Sequence, residues 1–269
     1  MLYIFRQYTF DNSFEHVDFS NKFLKEYQIA LTFATDSDEF GQPTNGIFRR
    51  GWDLAKVTPE AIKRFREKAG SMGVEVKVFI CIGNRGNRGN PFINRDNPFK
   101  ILDRDAWIVN ATDSLTRLIQ EVNLQVDGID VQYETIDASA DDFIHCVRGL
   151  IKNLQDNGVI TVASISPTFS LNKEFYPPLY TSVPFLFDYV DCQFPKELHP
   201  IEDPTALLQR YDELTQIYPI RKLLAGFSPE NAEPFVFFLR VMDILHKKNA
   251  PGASIYYNHF YAPLWTSCS

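Results

Sequence analysis

The segment at 127–134, DGIDVQYE, contains the residues best suited to proton exchange and hydrogen bonding with a substrate. Side chains alternate between the two faces of a β-strand, so Asp130, Gln132 and Glu134 would share one face. Polar side chains inside a protein are costly unless they are hydrogen-bonded, and this cost favours a functional site. A purely structural polar network is the alternative interpretation.

Eight strands are predicted from short runs of β-branched and aromatic residues, with amphipathic helical patterns between most of them. The runs lie at 2–8, 28–35, 74–82, 126–132, 159–166, 187–194, 221–227 and 253–258. Regular alternation of strand and helix indicates parallel strands, and eight such units in 269 residues fit a closed barrel better than a doubly wound sheet.

We therefore predict the α/β fold class, as a (β/α)8 TIM barrel that forms a single domain over residues 1–269. Its C-terminal end is expected to be shortened or irregular, because residues 259–269 have no helical period. In such a barrel the site is built at the carboxyl ends of the strands. The apolar residues of the strand at 126–132 suit the helix-packed outside, so its polar face would point inward, with Glu134 at the carboxyl end.

Composition and charge exclude several function classes. The chain has 27 basic and 34 acidic residues, a net charge of −7, and a pI near 5.3, whereas nucleic-acid-binding domains normally have a pI above about 9. No apolar run approaches the roughly 18 residues that cross a bilayer. Arg6 interrupts the first apolar run, so we see no signal peptide and expect a cytoplasmic location without nucleic-acid or membrane partners.

Neither cysteines nor histidines form a metal-binding pattern. The four cysteines are scattered without a CxxC motif, and the five histidines are far apart in the sequence. We therefore predict no metal and no cofactor.

The DGIDVQYE segment resembles the DGxDxDxE signature of glycoside hydrolase family 18, which contains chitinases and inactive relatives. Other segments match that family in the same order along the chain: LTFA, NGIFRRGWD, SLTRLIQ, VITVASISP, YVDCQF and LLAGFS. The chain looks most similar to the small plant branch of the family, which includes bulb chitinases, the seed protein narbonin and RuBisCO-associated protein.

The resemblance implies substrate-assisted retaining hydrolysis, in which Glu134 protonates the glycosidic oxygen and the substrate's N-acetyl oxygen attacks the anomeric carbon. It places Asp127 and Asp130 at the other acidic motif positions. At the position of Gln132 the family has an aspartate, which holds the acetamido N–H and stabilises the cationic intermediate. Glutamine accepts a hydrogen bond but carries no charge, so we predict that Gln132 makes the motif catalytically degenerate.

Further departures affect the groups that handle the N-acetyl sugar. The third strand ends in Cys81-Ile-Gly83-Asn84 instead of Ser-x-Gly-Gly, and Pro195 replaces a tyrosine that binds the acetamido group. Tyr256 or Tyr257 takes the place of a tryptophan that floors the sugar subsite. The predicted substrate contacts are Gln193, Tyr256, Tyr257 and Phe33.

Three functions stay open at this point. The first is an inactive chitinase-like barrel that binds a chito-oligosaccharide, another glycan or a protein, as a monomer or weak dimer. The second is a storage-type or RuBisCO-associated protein. The third is a weakly active chitinase that depends on Glu134.

Overall fold

The structure is a computed structural model that describes residues 2–84, 98–168, 173–194, 205–227 and 242–256. Its strands are β1 (Tyr3–Thr9), β2 (Leu24–Thr35), β3 (Arg49–Arg50), β4 (Glu75–Asn84), β5 (Gly128–Tyr133), β6 (Val162–Ile165), β7 (Tyr189–Gln193), β8 (Leu223–Phe227) and β9 (Gly252–Tyr256). Its helices are α1 (Pro59–Ser71), α2 (Arg104–Val122), α3 (Ala140–Asp156), α4 (Tyr176–Ser182) and α5 (Thr205–Thr215). Residues 242–248 are also helical, and short 3-10 helices cover Asn12–His16 and Ile220–Lys222.

In the described part of the chain, eight parallel strands form a closed barrel. From β4 to β9 each strand pairs with the next, β2 pairs with β4, and β1 pairs with both β9 and β2, which closes the ring. The two-residue strand β3 lies outside the ring and pairs antiparallel with the end of β2. The predicted (β/α)8 TIM barrel is therefore confirmed.

The helices begin where the sequence supplies capping side chains. Thr58 Oγ1 accepts a hydrogen bond from Ala61 N at 3.1 Å at the start of α1, and Asp103 Oδ1 accepts one from Ala106 N at 2.8 Å at the start of α2. Each helix then buries one apolar face against the outside of the barrel. This outer layer fixes which strand residues face inward.

The sequence missed four elements and placed several boundaries imprecisely. Strand β2 begins at Leu24 rather than at residue 28, and β3, α4 and both 3-10 helices were not predicted. The expected irregular end at 259–269 lies outside the described residues. Among the residues that are described, no helix combines the length and the apolar character needed to span a bilayer.

Candidate active site at the barrel mouth

Strand β5 carries the predicted polar face into the barrel. Asp130 and Gln132 are fully buried, and Glu134 follows the end of the strand in a half-buried position. Directly after Glu134, a backbone hydrogen bond from Phe99 N to Thr135 O, at 2.9 Å, fixes the position of the chain. The structure thus brings Asp130 and Gln132 together inside the barrel and places Glu134 at the carboxyl end of the same strand.

A close approach between β4 and β5 fixes the position of Gln132. Gly83 has a φ of +127°, and a Cβ at this position would lie 2.1 Å from the carbonyl oxygen of Gln132. Only glycine combines this backbone conformation with the lack of a side chain. The same register places the Cys81 Sγ, also fully buried, beside the two polar residues of β5.

Asp130 is the centre of a dense hydrogen-bond network. Its Oδ1 accepts from Arg6 Nη1 at 2.9 Å, from Ser166 Oγ at 2.7 Å and from the Ser164 hydroxyl. The Tyr8 hydroxyl lies 3.1 Å from the other carboxylate oxygen, Oδ2. Both oxygens therefore have donors within the barrel, which offsets much of the cost of burying the carboxylate.

Arg6 is a buried cation that the sequence interpretation did not place in the site. Its side chain has no exposed surface, its Nε donates to Gln28 Oε1 at 2.7 Å, and its guanidinium carbon lies 4.6 Å from the centre of the Phe79 ring. The available signal was strand alternation, because Arg6 is two residues from Tyr8 and so shares its inward face.

Asp191 on β7 is the second carboxylate of this interior. Its Oδ2 lies 2.7 Å from the Tyr8 hydroxyl, and its Oδ1 accepts from Ser254 Oγ at 2.8 Å. Burial raises the pKa of Asp191, and the charge of Arg6, whose Nη1 is 3.8 Å from Oδ2, acts against this increase. One cation thus balances part of the charge of two carboxyl groups.

Gln132 is bound differently from Asp130, although it lies only two residues further along β5. Its Oε1 accepts hydrogen bonds from the Tyr256 hydroxyl and from Cys81 Sγ, the latter at 3.6 Å. Its buried Nε2 has no hydrogen-bond partner among the described residues. The ring of Tyr256 stacks on that of Tyr8 at a centroid distance of 4.2 Å and an angle of 1°, which fixes the phenol above the barrel interior.

Those predicted substrate contacts that the structure describes lie at the same barrel mouth. Gln193 is buried, and its Nε2 donates to Ser254 Oγ at 3.2 Å, while its Oε1 has no partner in the described ranges. Phe33 is 5% exposed and packs in the apolar interior cluster with Tyr256. Tyr257 and Pro195 lie outside the described residues.

Asp127 lies at the opposite end of β5 from Glu134. Its Oδ2 accepts hydrogen bonds from Arg66 Nη2 and from Val78 N, both at 2.7 Å. Glu134 is seven positions beyond Asp127, which corresponds to roughly 23 Å along an extended strand. The structure therefore does not bring these two motif carboxylates together, and Asp127 joins α1 to the amino ends of two strands.

Within the described ranges, no group of three or more His, Cys, Asp and Glu side chains could hold a metal ion. Cys81, Cys146 and Cys192 are free and buried, and burial is the main cause of the raised pKa of each thiol. The site is therefore built from hydrogen-bonding and acidic side chains of the barrel strands.

Comparison of the sequence and the structure with those of known proteins identifies the family to which the chain belongs. No family model matches, but RuBisCO-associated protein from Glycine max is 35% identical over 265 residues, covering 94% of this chain and 89% of the relative. Chitinase 1 from Tulipa saxatilis subsp. bakeri is 28% identical over 258 residues, covering 91% and 77%. The catalytic domain of a family GH18 chitinase from the fern Peteris ryukyuensis matches with a TM-score of 0.75 and 27% identity, over 94% and 91% of the two chains. The chain belongs to the plant chitinase-like branch of glycoside hydrolase family 18.

Proposed function

We propose that this protein is a catalytically silent chitinase-like barrel that binds an N-acetylated glycan at its mouth. The observation that carries the proposal is the state of Gln132. The family mechanism needs a charged carboxylate at this position. Here the position holds an uncharged amide, whose oxygen accepts a hydrogen bond from the Tyr256 hydroxyl. That oxygen is therefore already engaged where a substrate N–H would bind.

Loss of the charge at position 132 is expected to affect the transition state strongly. Removing one preorganised electrostatic partner lowers turnover by about 10²- to 10³-fold in enzymes where it has been measured. Asp130 does not replace the missing charge, because its oxygens accept hydrogen bonds from Arg6, Ser164 and Ser166. Glu134 could then protonate the glycosidic oxygen, but no carboxylate at position 132 would stabilise the cationic intermediate that follows.

Glycan binding is supported by two buried amide groups that keep unused hydrogen-bonding capacity. Gln132 Nε2 is a donor, and Gln193 Oε1 is an acceptor, without partners in the described part of the chain. An acetamido group carries both an acceptor carbonyl and a donor N–H, which are the kinds of partner that these two atoms require. A ligand that satisfied both atoms would remove the cost of leaving them unpaired, about 1–3 kcal/mol each.

A protein-binding or storage role is the second candidate, and the 35% identity to RuBisCO-associated protein favours it. That role requires no sugar in the barrel. It predicts that the protein is abundant in its tissue and co-purifies with a large partner. A weakly active chitinase is the third candidate.

Calorimetric titration with chitotetraose tests the glycan-binding proposal. We expect saturable binding to the wild-type protein and at least tenfold weaker binding to Gln132→Met, which keeps the side-chain length but removes the amide. Gln216→Met is the matched control, because Gln216 is exposed on the outside of the barrel. Absence of wild-type binding would exclude the glycan and leave the protein-binding or storage role. Equal binding by Gln132→Met would show that the glycan binds without the Gln132 amide and would overturn the proposed site.

A further inference from the structure

A cleft of about 700 Å³ lies between the segment at 47–55 and helix α2. Ligand sites for small molecules typically have about 300 to 1,000 Å³, so the cleft has the size of a small-molecule site. Its lining includes neither Asp130 nor Glu134. It is therefore separate from the site at the end of β5.

The cleft is built by fixed contacts between its two walls. Ser114 Oγ donates to Gly46 O at 2.9 Å and accepts from Phe48 N at 3.1 Å, which ties the segment to α2. Gly46 has a φ of +88°, and a Cβ there would lie 2.4 Å from the carbonyl oxygen of Trp107. Asn110 Nδ2 adds a bond to Asn45 O at 3.0 Å. The walls thus hold their relative position without a ligand.

Three arginines line the cleft, and none of them forms an ion pair with a described carboxylate. Arg49, Arg50 and Arg117 are exposed, and none has a carboxylate within 4.0 Å in the described part of the chain. Other arginines do pair, for example Arg64 with Glu15 at 2.9 Å. Guanidinium groups recognise phosphate and carboxylate oxygens through directed hydrogen bonds, so this grouping favours an anionic ligand.

The two acidic residues of the cleft offset part, but not all, of the charge of its three arginines. Asp53 turns one carboxylate oxygen, Oδ1, onto its own loop, where it accepts from Ala55 N at 2.9 Å. Glu121 is exposed one turn beyond Arg117 on α2, and the two side chains form no ion pair within 4.0 Å. Within the described residues, no carboxylate pairs with these guanidinium groups, which leaves their donors available to a ligand.

Trp52 supplies an independent indication of a ligand. The residue is 3% exposed and lines the cleft, and its indole Nε1 has no hydrogen-bond partner among the described residues. Buried indole N–H groups normally find an acceptor. Phe48, also buried, adds an apolar surface to the same wall.

We propose that this cleft binds a small organic phosphate, with Arg49, Arg50 and Arg117 around the phosphate and Trp52 beside the organic part. A phosphate monoester carries about −1.5 to −2 charges at pH 7 and several acceptor oxygens, so it suits a group of three cations better than a carboxylate does. One oxygen of the ligand would accept a hydrogen bond from the indole N–H of Trp52.

Calorimetric titration at constant ionic strength tests the proposal, with phenyl phosphate as the probe and benzoate and inorganic phosphate as comparisons. We expect phenyl phosphate to bind at one site and more tightly than either comparison. Arg49→Gln and Arg117→Gln should each weaken this binding by about tenfold, the usual effect of one charge-assisted hydrogen bond. Trp52→Phe should weaken it by several-fold.

Arg210→Gln is the matched control, because it makes the same charge change on α5, where Arg210 pairs with Glu213 at 2.8 Å. Binding to this variant should equal that of the wild type. No saturable binding of phenyl phosphate, equal weakening by Arg210→Gln, or benzoate binding as tight as phenyl phosphate would each overturn the proposal. Chitotetraose titrations of the arginine variants should match the wild type, whatever the outcome for the barrel mouth.

Discussion

Two inward-facing side chains of β5, Asp130 and Gln132, differ in how completely their polar atoms are paired. Around Asp130, the carboxylate oxygens meet a guanidinium and three hydroxyl groups. Around Gln132, two residues further along β5, the amide nitrogen has no partner in the described ranges. We infer that the layer around Asp130, the lower layer, stabilises the barrel, whereas the layer around Gln132 above it contains the proposed glycan site.

The difference also explains why the fold tolerates an altered motif. Arg6 supplies the positive charge that the buried carboxylates of Asp130 and Asp191 need, and this arrangement does not involve position 132. A glutamine there removes a charge from the mouth without breaking the network below it. Stability and catalysis are therefore expected to respond to different substitutions.

The largest expected effect comes from Arg6→Met, which removes the buried cation while keeping much of its volume. It leaves two buried carboxylates without a counter-charge, so we expect a loss of about 3–5 kcal/mol in the free energy of unfolding, measured by urea denaturation. Arg64→Met is the control, since its ion pair with Glu15 lies at the surface and should have little effect. A loss below about 1 kcal/mol for Arg6→Met would contradict a structural role for the lower layer.

An intermediate effect is expected from Asp127→Asn at the amino end of β5. The substitution weakens the charge-assisted bonds from Arg66 and Val78, and because this pair is partly exposed we expect a loss of about 1 kcal/mol. Chitotetraose affinity should be unchanged, because Asp127 lies far from the mouth. Weaker glycan binding with unchanged stability would instead assign Asp127 to the binding machinery.

The smallest effect concerns a buried carboxyl group that has hydrogen-bond donors but no cation beside it in the described structure. Asp36 accepts from Trp107 Nε1 at 2.8 Å and from the Tyr133 hydroxyl at 3.0 Å. Burial raises the pKa of Asp36 above its ordinary value of 3.8, and these two hydrogen bonds act against the increase.

Because the folded-state pKa of Asp36 is the higher one, its contribution to stability is greatest below about pH 4 and declines as the pH rises through the folded-state pKa. The unfolding free energy of the wild type relative to Asp36→Asn should therefore decrease between pH 4 and pH 7. Urea denaturation of both proteins at the two pH values measures this difference. A difference that grows with pH would contradict the raised pKa.

Strand alternation was sufficient to predict the barrel and the inward face of β5. The apolar Ile129 and Val131 lie in the layer that faces the helices, as expected from their spacing. The same rule applied to β1 would have placed Arg6 inside, but an arginine in a barrel core is uncommon because burying its charge is costly. Its two carboxylate neighbours come from strands more than 100 residues away, and no local pattern reveals such a contact.

The cleft lined by Arg49, Arg50 and Arg117 could not be predicted from the sequence either, because it also depends on contacts between distant segments. Arg49 and Arg50 form a strand of two residues, which is too short to give a periodic signal. The cleft also needs Arg117 from α2, and the hydrogen bonds of Ser114 that bring the two walls together appear only in the folded chain. Sequence patterns locate elements well, whereas sites that join distant segments require the tertiary contacts.

Hydrolysis of a chromogenic chito-oligosaccharide tests the central claim most directly, measured for the wild type, Gln132→Asp, Glu134→Gln and the double variant Gln132→Asp/Glu134→Gln. We predict that Gln132→Asp hydrolyses the substrate about 10²- to 10³-fold faster than the wild type, whose turnover should lie below detection, and that the double variant loses this gain. Wild-type turnover that disappears in Glu134→Gln would contradict the account and make the protein a working hydrolase.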